Sequence, residues 1–306
     1  MTRILVIAGP TAVGKSALSL ELAKRLNGEI ISADSMQIYR GMDIGTAKAT
    51  VEERNQVVHH LIDIKEPSEE YSCADYSTDA RRCIEDILSR GKLPIFCGGT
   101  GLYIRQALCD APVSSPPSDP VLRDALEKRS PEENYAELCA CDPESAAAIH
   151  PNNVRRVIRA LEIYRLSGIS KSQWDRKTPS EEYRPDALLL CLTAPRDELY
   201  ARIDRRVEVM MEQGLYEEVS ALSLDPGSTA GQAIGYKEMM GCFHGELTKE
   251  EAVAQIQLAS RRYAKRQLTW FRHQKGFTML DVSRFSNFEE IVNFVVNLFD
   301  QSKNVI

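Results

Sequence analysis

The sequence predicts an α/β fold: a three-layer domain on a parallel sheet, with an all-helical domain inserted into it. Three observations predict it. The octapeptide Gly9-Pro10-Thr11-Ala12-Val13-Gly14-Lys15-Ser16 satisfies the G-x-x-x-x-G-K-[ST] pattern of a P-loop, and it stands between a short apolar run, Ile4 to Ala8, and a stretch with helical spacing, Ala17 to Leu26. Further apolar runs of strand character recur at Glu29 to Ala33, Leu93 to Cys97 and Ala187 to Leu192, separated by helical stretches. A proline-rich break, Ala111 to Pro120, is followed by residues of helical character alone as far as Leu166. The P-loop domain is accordingly expected to comprise residues 1–110 and 186–306, and the helical insertion residues 111–185.

In the first strand, loop and helix, backbone N–H groups and the positive helix end meet a phosphate chain. Lys15 adds a point charge there, and the Ser16 hydroxyl can hold Mg2+. The loop alone does not say which phosphate it holds. Gly28 ends the helix, and Glu29 to Ala33 delivers Asp34-Ser35 to the carboxyl end of the sheet, where open α/β sheets bind ligands. Asp34 is there either a metal partner or general base, or a turn residue. Met36 to Thr46 has no clean period and suits a loop that meets a ligand. His59-His60 precede a short strand, Leu61 to Asp63; facing opposite ways, the two histidines make poor joint metal ligands. Ala74 to Ser89 is an amphipathic helix. The strand Leu93 to Cys97 then ends in Gly98-Gly99-Thr100-Gly101 and feeds a helix, Leu102 to Leu108, which brings Thr100 to the same sheet edge as the loop.

Within the insertion, Asp119-Pro120, Pro131 and Pro143 each open a helix. The last helix carries an apolar stripe of Val154, Val157, Ile158, Leu161 and Tyr164, with Arg155, Arg156, Arg159 and Arg165 on the remainder. Lys171, Trp174, Arg176 and Lys177 extend the basic character. Such a face either meets phosphates or is simply solvated. After the strand Ala187 to Leu192, a helix from Asp197 toward Gly214 carries Arg202, Arg205 and Arg206, suited to closing over a leaving phosphate or to pairing with Glu208 or Glu212. A helix from Lys249 to about Phe271, a strand ending at Asp281-Val282-Ser283 and an amphipathic helix, Phe288 to Phe299, complete the chain.

With 306 residues, 43% of them hydrophobic, the chain can bury one large core and a smaller one. A formal net charge of -6 argues against indiscriminate coating of nucleic acid, so RNA contacts would have to come from local clusters of Arg. The eight cysteines include no C-x-x-C pair, which argues against a zinc module or a disulfide framework and suits reduced cytosolic thiols. Arg3 and the apolar run after it are cut off by Gly9-Pro10 and Lys15 too early for a signal peptide, and no stretch has membrane-spanning length. A cytoplasmic protein is expected.

Five stretches together resemble the tRNA dimethylallyltransferase (isopentenyltransferase) family: residues 9 to 16, Asp-Ser-Met-Gln-Ile-Tyr at 34 to 39, Gly-Gly-Thr-Gly-Leu-Tyr at 98 to 103, Gly-Tyr-Lys-Glu at 235 to 238, and Tyr-Ala-Lys-Arg-Gln-Leu-Thr-Trp-Phe-Arg at 263 to 272. The resemblance implies transfer of a dimethylallyl group from its diphosphate to N6 of the adenosine 3′ of a tRNA anticodon (position 37), with Mg2+ and release of diphosphate. It implies that Gly9, Pro10, Thr11, Ala12, Val13, Gly14, Lys15 and Ser16 cradle the diphosphate, that Ser16 shares the metal, and that Thr11 lies near the scissile oxygen. By the same resemblance Asp34 is the general base and Arg206 steadies the diphosphate beside Lys15, with Arg202 and Arg205 within one turn of that assignment. The implied tRNA contacts are Asp34, Ser35, Met36, Gln37, Thr100, Arg123, Arg155, Arg156, Val157, Ile158, Arg159, Gln232, Ala233, Ile234, Gly235, Tyr236 and Lys237. The insertion would grip the anticodon stem while the target base is flipped out, since a stacked adenine cannot present N6 to a buried carbon. Lacking a C-terminal Cys/His finger, the chain looks like the shorter, bacterial type, expected as a monomer. The rival readings are a prenyltransferase acting on free AMP or ADP, a small-molecule kinase, and an RNA-binding module without chemistry. The arginine-faced insertion and Gly235-Tyr236-Lys237-Glu238 count against the first and Asp34 beside the loop against the third, while the kinase should turn over ATP without RNA.

Overall fold

A computed structural model describes residues 3–109, 118–177 and 182–303. Two compact units divide the chain, one running to Leu108 and resuming at Tyr183, the other spanning Cys109–Glu182. Residues 111–117 of the proline-rich break lie outside the described residues.

The first unit is built on six strands: β1 (Ile4–Ala8), β2 (Gly28–Ser32), β3 (His59–His60), β4 (Leu93–Gly98), β5 (Ala187–Thr193) and β6 (Thr278–Asp281). All pair in parallel, in the order β3-β2-β4-β1-β5-β6. Between them run α1 (Lys15–Arg25), α2 (Val51–Gln56), α3 (Cys73–Ser89) and α4 (Gly101–Leu108). The strands are apolar on both faces because both faces are covered. Leu5 and Ile7 of β1 join the core beneath α1, where Leu18 and Leu22 pack, whereas Ile4, Val6 and Ala8 point into the opposite core with Tyr76, Ala80 and Ile84 of α3. Three layers result.

The second unit is wholly helical where described: α5 (Pro120–Glu127), α6 (Pro131–Cys141), α7 (Pro143–Ala148), α8 (Val154–Ser167) and α9 (Lys171–Lys177). Asp119, Ser130 and Asp142 cap three of these helices by accepting N–H groups of the first turn, each immediately before a proline. Leu126, Leu138, Ile149, Val157, Ile158 and Leu161 form its core. Tyr164, expected in the apolar stripe of α8, is 37% exposed; Ala160 and Ile163 are buried instead.

The first unit then closes with α10 (Arg196–Glu212), α11 (Leu215–Ala221), α12 (Tyr236–Phe243), α13 (Lys249–Arg272) and α14 (Phe288–Lys303). A third core packs Ile38, Tyr39 and Met42 against Val207, Leu215, Tyr236, Met239 and Ile256, so the loop after β2 is anchored on α10 to α13. Two expectations are corrected. The third strand is the histidine pair itself, because Leu61 and Asp63 hold φ of 60 and 55, a left-handed backbone that no strand accepts. The last strand ends at Asp281, whose side chain accepts the Ser283 N–H and turns the chain into a short 3-10 segment. Among the described residues no helix is long and apolar enough to cross a membrane.

Candidate active site

Three strand ends converge because the sheet aligns them: Ala8 lies beside Gly98, and Ser32 beside Cys97. The chain leaves β1 into the phosphate loop, β2 into Asp34 and β4 into Thr100, all at the carboxyl edge. Gly14 holds φ 102, and a Cβ there would meet nothing within 4 Å, so its glycine serves the backbone conformation rather than space. Ala12 also stands at a positive φ of 64, a strained position for a residue with a side chain. The loop opens α1 directly, leaving the free N–H groups of that helix's first turn at the site.

Lys15 folds back over the loop, its Nζ donating to the Pro10 carbonyl at 2.6 Å. Burial pushes the Lys15 ammonium down to about 8; Cys97 opposes that shift, Arg206 adds to it, and Asp34 and Cys191 oppose it. Arg206 of α10 is likewise held below its ordinary value by burial, with Asp34 opposing. Its neighbours are occupied elsewhere: Arg202 pairs with Glu198 at 3.4 Å, and Arg205 with Glu208 at 2.9 Å and Glu212 at 3.6 Å. Arg206 has no such ion pair among the described residues; it lowers the Lys15 pKa, and the Asp34 charge favours its own charged form. Two partly desolvated cations thus face one carboxylate, an excess of positive charge that suits a polyanion.

Asp34 accepts the Met36 N–H on Oδ1 at 2.9 Å, an Asx turn that fixes the carboxylate and leaves Oδ2 for other work. The Ser35 N–H donates to Thr100 Oγ1 at 3.2 Å, and the Thr100 N–H to the Ala33 carbonyl at 3.0 Å, which ties the turn after β2 to the turn after β4. Tyr263 of α13 reaches the same place. Burial pushes its phenol up to about 12 and the Asp34 charge adds to the rise, so the ring keeps its O–H. The sequence places Tyr263 and Gln267 within a motif but gives neither a role; their i, i+4 spacing, on one face of a long helix, is the one signal it offers.

Among the described residues no group of three or more His, Cys, Asp or Glu could hold a metal ion. Ser16, exposed in the first turn of α1, offers a single hydroxyl. That donor set could supply one ligand to a Mg2+ that arrives with a phosphate-bearing ligand, and does not fit a resident metal.

The residues expected to read RNA are distributed unevenly. Gln37 is internally used: it accepts from Ser32 Oγ at 2.9 Å and donates to the Thr46 and Ala47 carbonyls at 3.3 Å, bracing the loop. Ser35 and Met36 are half-buried beside it. Gln232 and Lys237 are exposed, Ile234 is half-buried, and Ala233, Gly235 and Tyr236 are buried. The Tyr236 O–H donates to Glu218, whose carboxylate also accepts the N–H groups of Asp43, Ile44 and Gly45 at 3.0, 2.7 and 3.2 Å. Tyr236 and Glu218 therefore anchor the loop after β2.

In the helical unit, Val157 and Ile158 are core residues whose side chains cannot reach a partner. Arg123 and Arg159 both bind the fully buried Glu162, which also accepts the Asp119 N–H at 2.9 Å. Arg155 and Arg156 are exposed, with no ion pair among the described residues. Glu162 sits two residues inside the expected stripe, and nothing in the spacing marks it as the residue that two arginines share.

Residues 37–274 match the family model described as IPP transferase, and residues 2–67 the model described as isopentenyl transferase. The chain is 50% identical over 301 residues to a protein of Anoxybacillus flavithermus named tRNA dimethylallyltransferase, covering 97% of this chain and 96% of that one. It is 50% identical over 287 residues to the protein of that name from Bacillus subtilis, covering 92% and 91%. Among solved structures, the full-length tRNA isopentenylpyrophosphate transferase of Bacillus halodurans aligns with a TM-score of 0.71 at 44% identity, over 99% of this chain and 98% of that one. A eukaryotic dimethylallyltransferase described as acting on tRNA aligns with a TM-score of 0.83 at 34% identity, over 98% of this chain and 80% of that one.

Proposed function

The chain belongs to the IPP transferase family of tRNA dimethylallyltransferases, and we propose that it moves a dimethylallyl group from dimethylallyl diphosphate to N6 of the adenosine 3′ of the anticodon (position 37), releasing diphosphate. The bond between C1 of the allyl group and the bridging oxygen breaks, a bond from C1 to N6 forms, and N6 gives up a proton. Charge develops on the departing diphosphate, and Lys15, Arg206 and the loop N–H groups are the cations and donors at hand to stabilise it. The Thr11 hydroxyl, in the loop itself, would lie near the scissile oxygen. Ser16 would hold a Mg2+, which would further neutralise the leaving group. Asp34 takes the N6 proton as the nitrogen attacks; an aromatic amine is a feeble nucleophile, so that transfer is useful.

The observation that carries this reading is the meeting of Lys15, Arg206 and Asp34 at one sheet edge, each close enough to shift a neighbour's titration. One chain supplies all of these groups, so the site is complete in a monomer. In the helical unit, exposed Arg155 and Arg156 are the side chains best suited to anticodon-stem phosphates, and a tRNA substrate implies a cytoplasmic enzyme.

The test incubates the protein with dimethylallyl diphosphate, Mg2+ and either an anticodon stem-loop or AMP, followed by mass spectrometry of the nucleosides. A prenylated adenosine in the stem-loop and none from AMP is the expected result. Prenylated AMP would move the activity to free nucleotides, and no transfer to either would remove it.

A further inference from the structure

Gln267, near the C-terminal end of α13, is 6% exposed, and both ends of its amide are spent on backbone. Oε1 accepts the Thr11 N–H at 3.0 Å, and Nε2 donates to the Gly99 carbonyl at 3.0 Å. The two partners lie in different turns, the phosphate loop after β1 and the glycine turn after β4, on strands that pair side by side. A Cβ at residue 99 would lie 2.0 Å from Nε2 and 3.1 Å from the Gly9 carbonyl, so the turn reaches the amide only because residue 99 has no side chain. One helical turn back on the same helix stands Tyr263, whose phenol pKa the nearby Asp34 charge helps to raise.

A Thr11 N–H already satisfied by protein is not offered to an anion, so this peptide acts as a fixed pivot of the loop rather than part of its cradle. Immediately after it Ala12 holds φ 64, a conformation that persists only when its surroundings enforce it. The donor's diphosphate and the acceptor's amine are held by different turns, and Gln267 is the side chain that spans those turns.

We propose that Gln267 is a positioning residue for the transfer. It fixes the phosphate loop, with Thr11 and Lys15, at a set spacing from the turn that carries Thr100, to which Ser35 and hence Asp34 are tied. The proposal rests on the reading above, in which the loop holds the leaving diphosphate and Asp34 takes the proton. Misplacement of reacting groups by about 1 Å costs on the order of a hundredfold in rate.

Gln267→Met keeps length and volume but neither hydrogen bond, and Gln267→Glu keeps the acceptor for Thr11 while turning an oxygen toward the Gly99 carbonyl. For Gln267→Met, kcat for transfer to an anticodon stem-loop should fall about 10- to 100-fold, the KM for the stem-loop should stay unchanged, and inorganic diphosphate should bind more weakly by calorimetry. Gln267→Glu, which sets a carboxylate oxygen against the Gly99 carbonyl, should lose kcat as well. Wild-type kcat in Gln267→Met, or a lowered melting temperature with kcat and KM untouched, overturns the proposal. If Gln267→Met does not fold, the same measurements on Gln267→Glu decide, wild-type kcat again overturning it. If the wild type itself modifies no adenosine, the functional reading has failed; diphosphate binding, which needs no acceptor, then decides, weakening in the variant supporting the positioning role and equality ending it.

Discussion

Burial holds the Lys15 ammonium down to about 8, against the pull of Cys97 and Asp34 and with the help of Arg206. A bound diphosphate brings negative charge to Nζ and raises that pKa, so binding near pH 8 draws in a proton. Below that range Lys15 is already charged and no proton moves; above it the affinity falls as pH rises. Titration of dimethylallyl diphosphate without RNA, in two buffers of different ionisation enthalpy, should therefore report uptake of about half a proton more in wild type than in Lys15→Met at pH 8, and no difference at pH 6. Equal uptake in the two proteins would mean that Nζ does not meet the ligand. Asp34→Asn keeps size and hydrogen-bonding reach but loses the base, so kcat should fall by about 10²–10⁴ while donor and RNA affinities hold. RNA affinity falling in step with the rate would make Asp34 a recognition residue. Because Arg206, unlike Arg202 and Arg205, lowers the Lys15 pKa and is itself influenced by Asp34, Arg206→Ala should weaken dimethylallyl diphosphate binding by about 10- to 100-fold, whereas Arg202→Ala, which breaks an exposed pair with Glu198, should leave it unchanged.

At the scale of the element, α8 shows how one helix divides its arginines between structure and surface. Glu162 is fully buried and carries Arg123 at 3.1 Å, Arg159 and the Asp119 N–H, which joins α8 to the start of α5. Burial alone would raise its carboxyl pKa, yet these hydrogen bonds hold it below the usual carboxylate range. Glu162→Ala should lower stability by about 2 kcal/mol in urea unfolding, since the Asp119 N–H loses its acceptor while two half-exposed guanidinium groups regain water. Arg159→Ala removes part of the same cluster and is expected to affect stability along with any RNA binding. The double variant Arg155→Ala, Arg156→Ala should leave the unfolding midpoint alone and flatten the dependence of log Kd for tRNA on log salt by roughly 0.7 to 1 unit for each phosphate no longer neutralised. An unchanged slope would mark both residues as a solvated face.

Over the whole molecule, local pattern and long-range packing divide the information between them. The strand-loop-helix around residues 9 to 16, the other long strands, the proline-opened helices of the insertion and the α/β class all follow from short-range periodicity and turn chemistry, which a linear chain displays openly. Short elements display no full period: α2, of six residues, rests on a Thr50–Glu53 capping box, whereas α11 and α12, of seven and eight residues, pack into the third core. Left-handed Leu61 moved a strand onto the histidines before it. The kinds of residue proposed to do the chemistry, a loop lysine and a carboxylate after the second strand, are visible because each sits at a fixed offset from its element. Which arginine joins them is not, since Arg202, Arg205 and Arg206 differ only by rotation about one helix axis, and the side facing Asp34 is set by how α10 packs. Gln267 was invisible for a related reason: its partner Thr11 lies 256 positions away, and the two meet only because sheet order sets β4 beside β1 and α13 against both turns. Spacing along the chain therefore determined the elements and the chemical inventory of this protein, whereas the tertiary structure alone decided which members of that inventory meet, because proximity across a sheet edge depends on strand order and helix rotation, and neither is written as a local period.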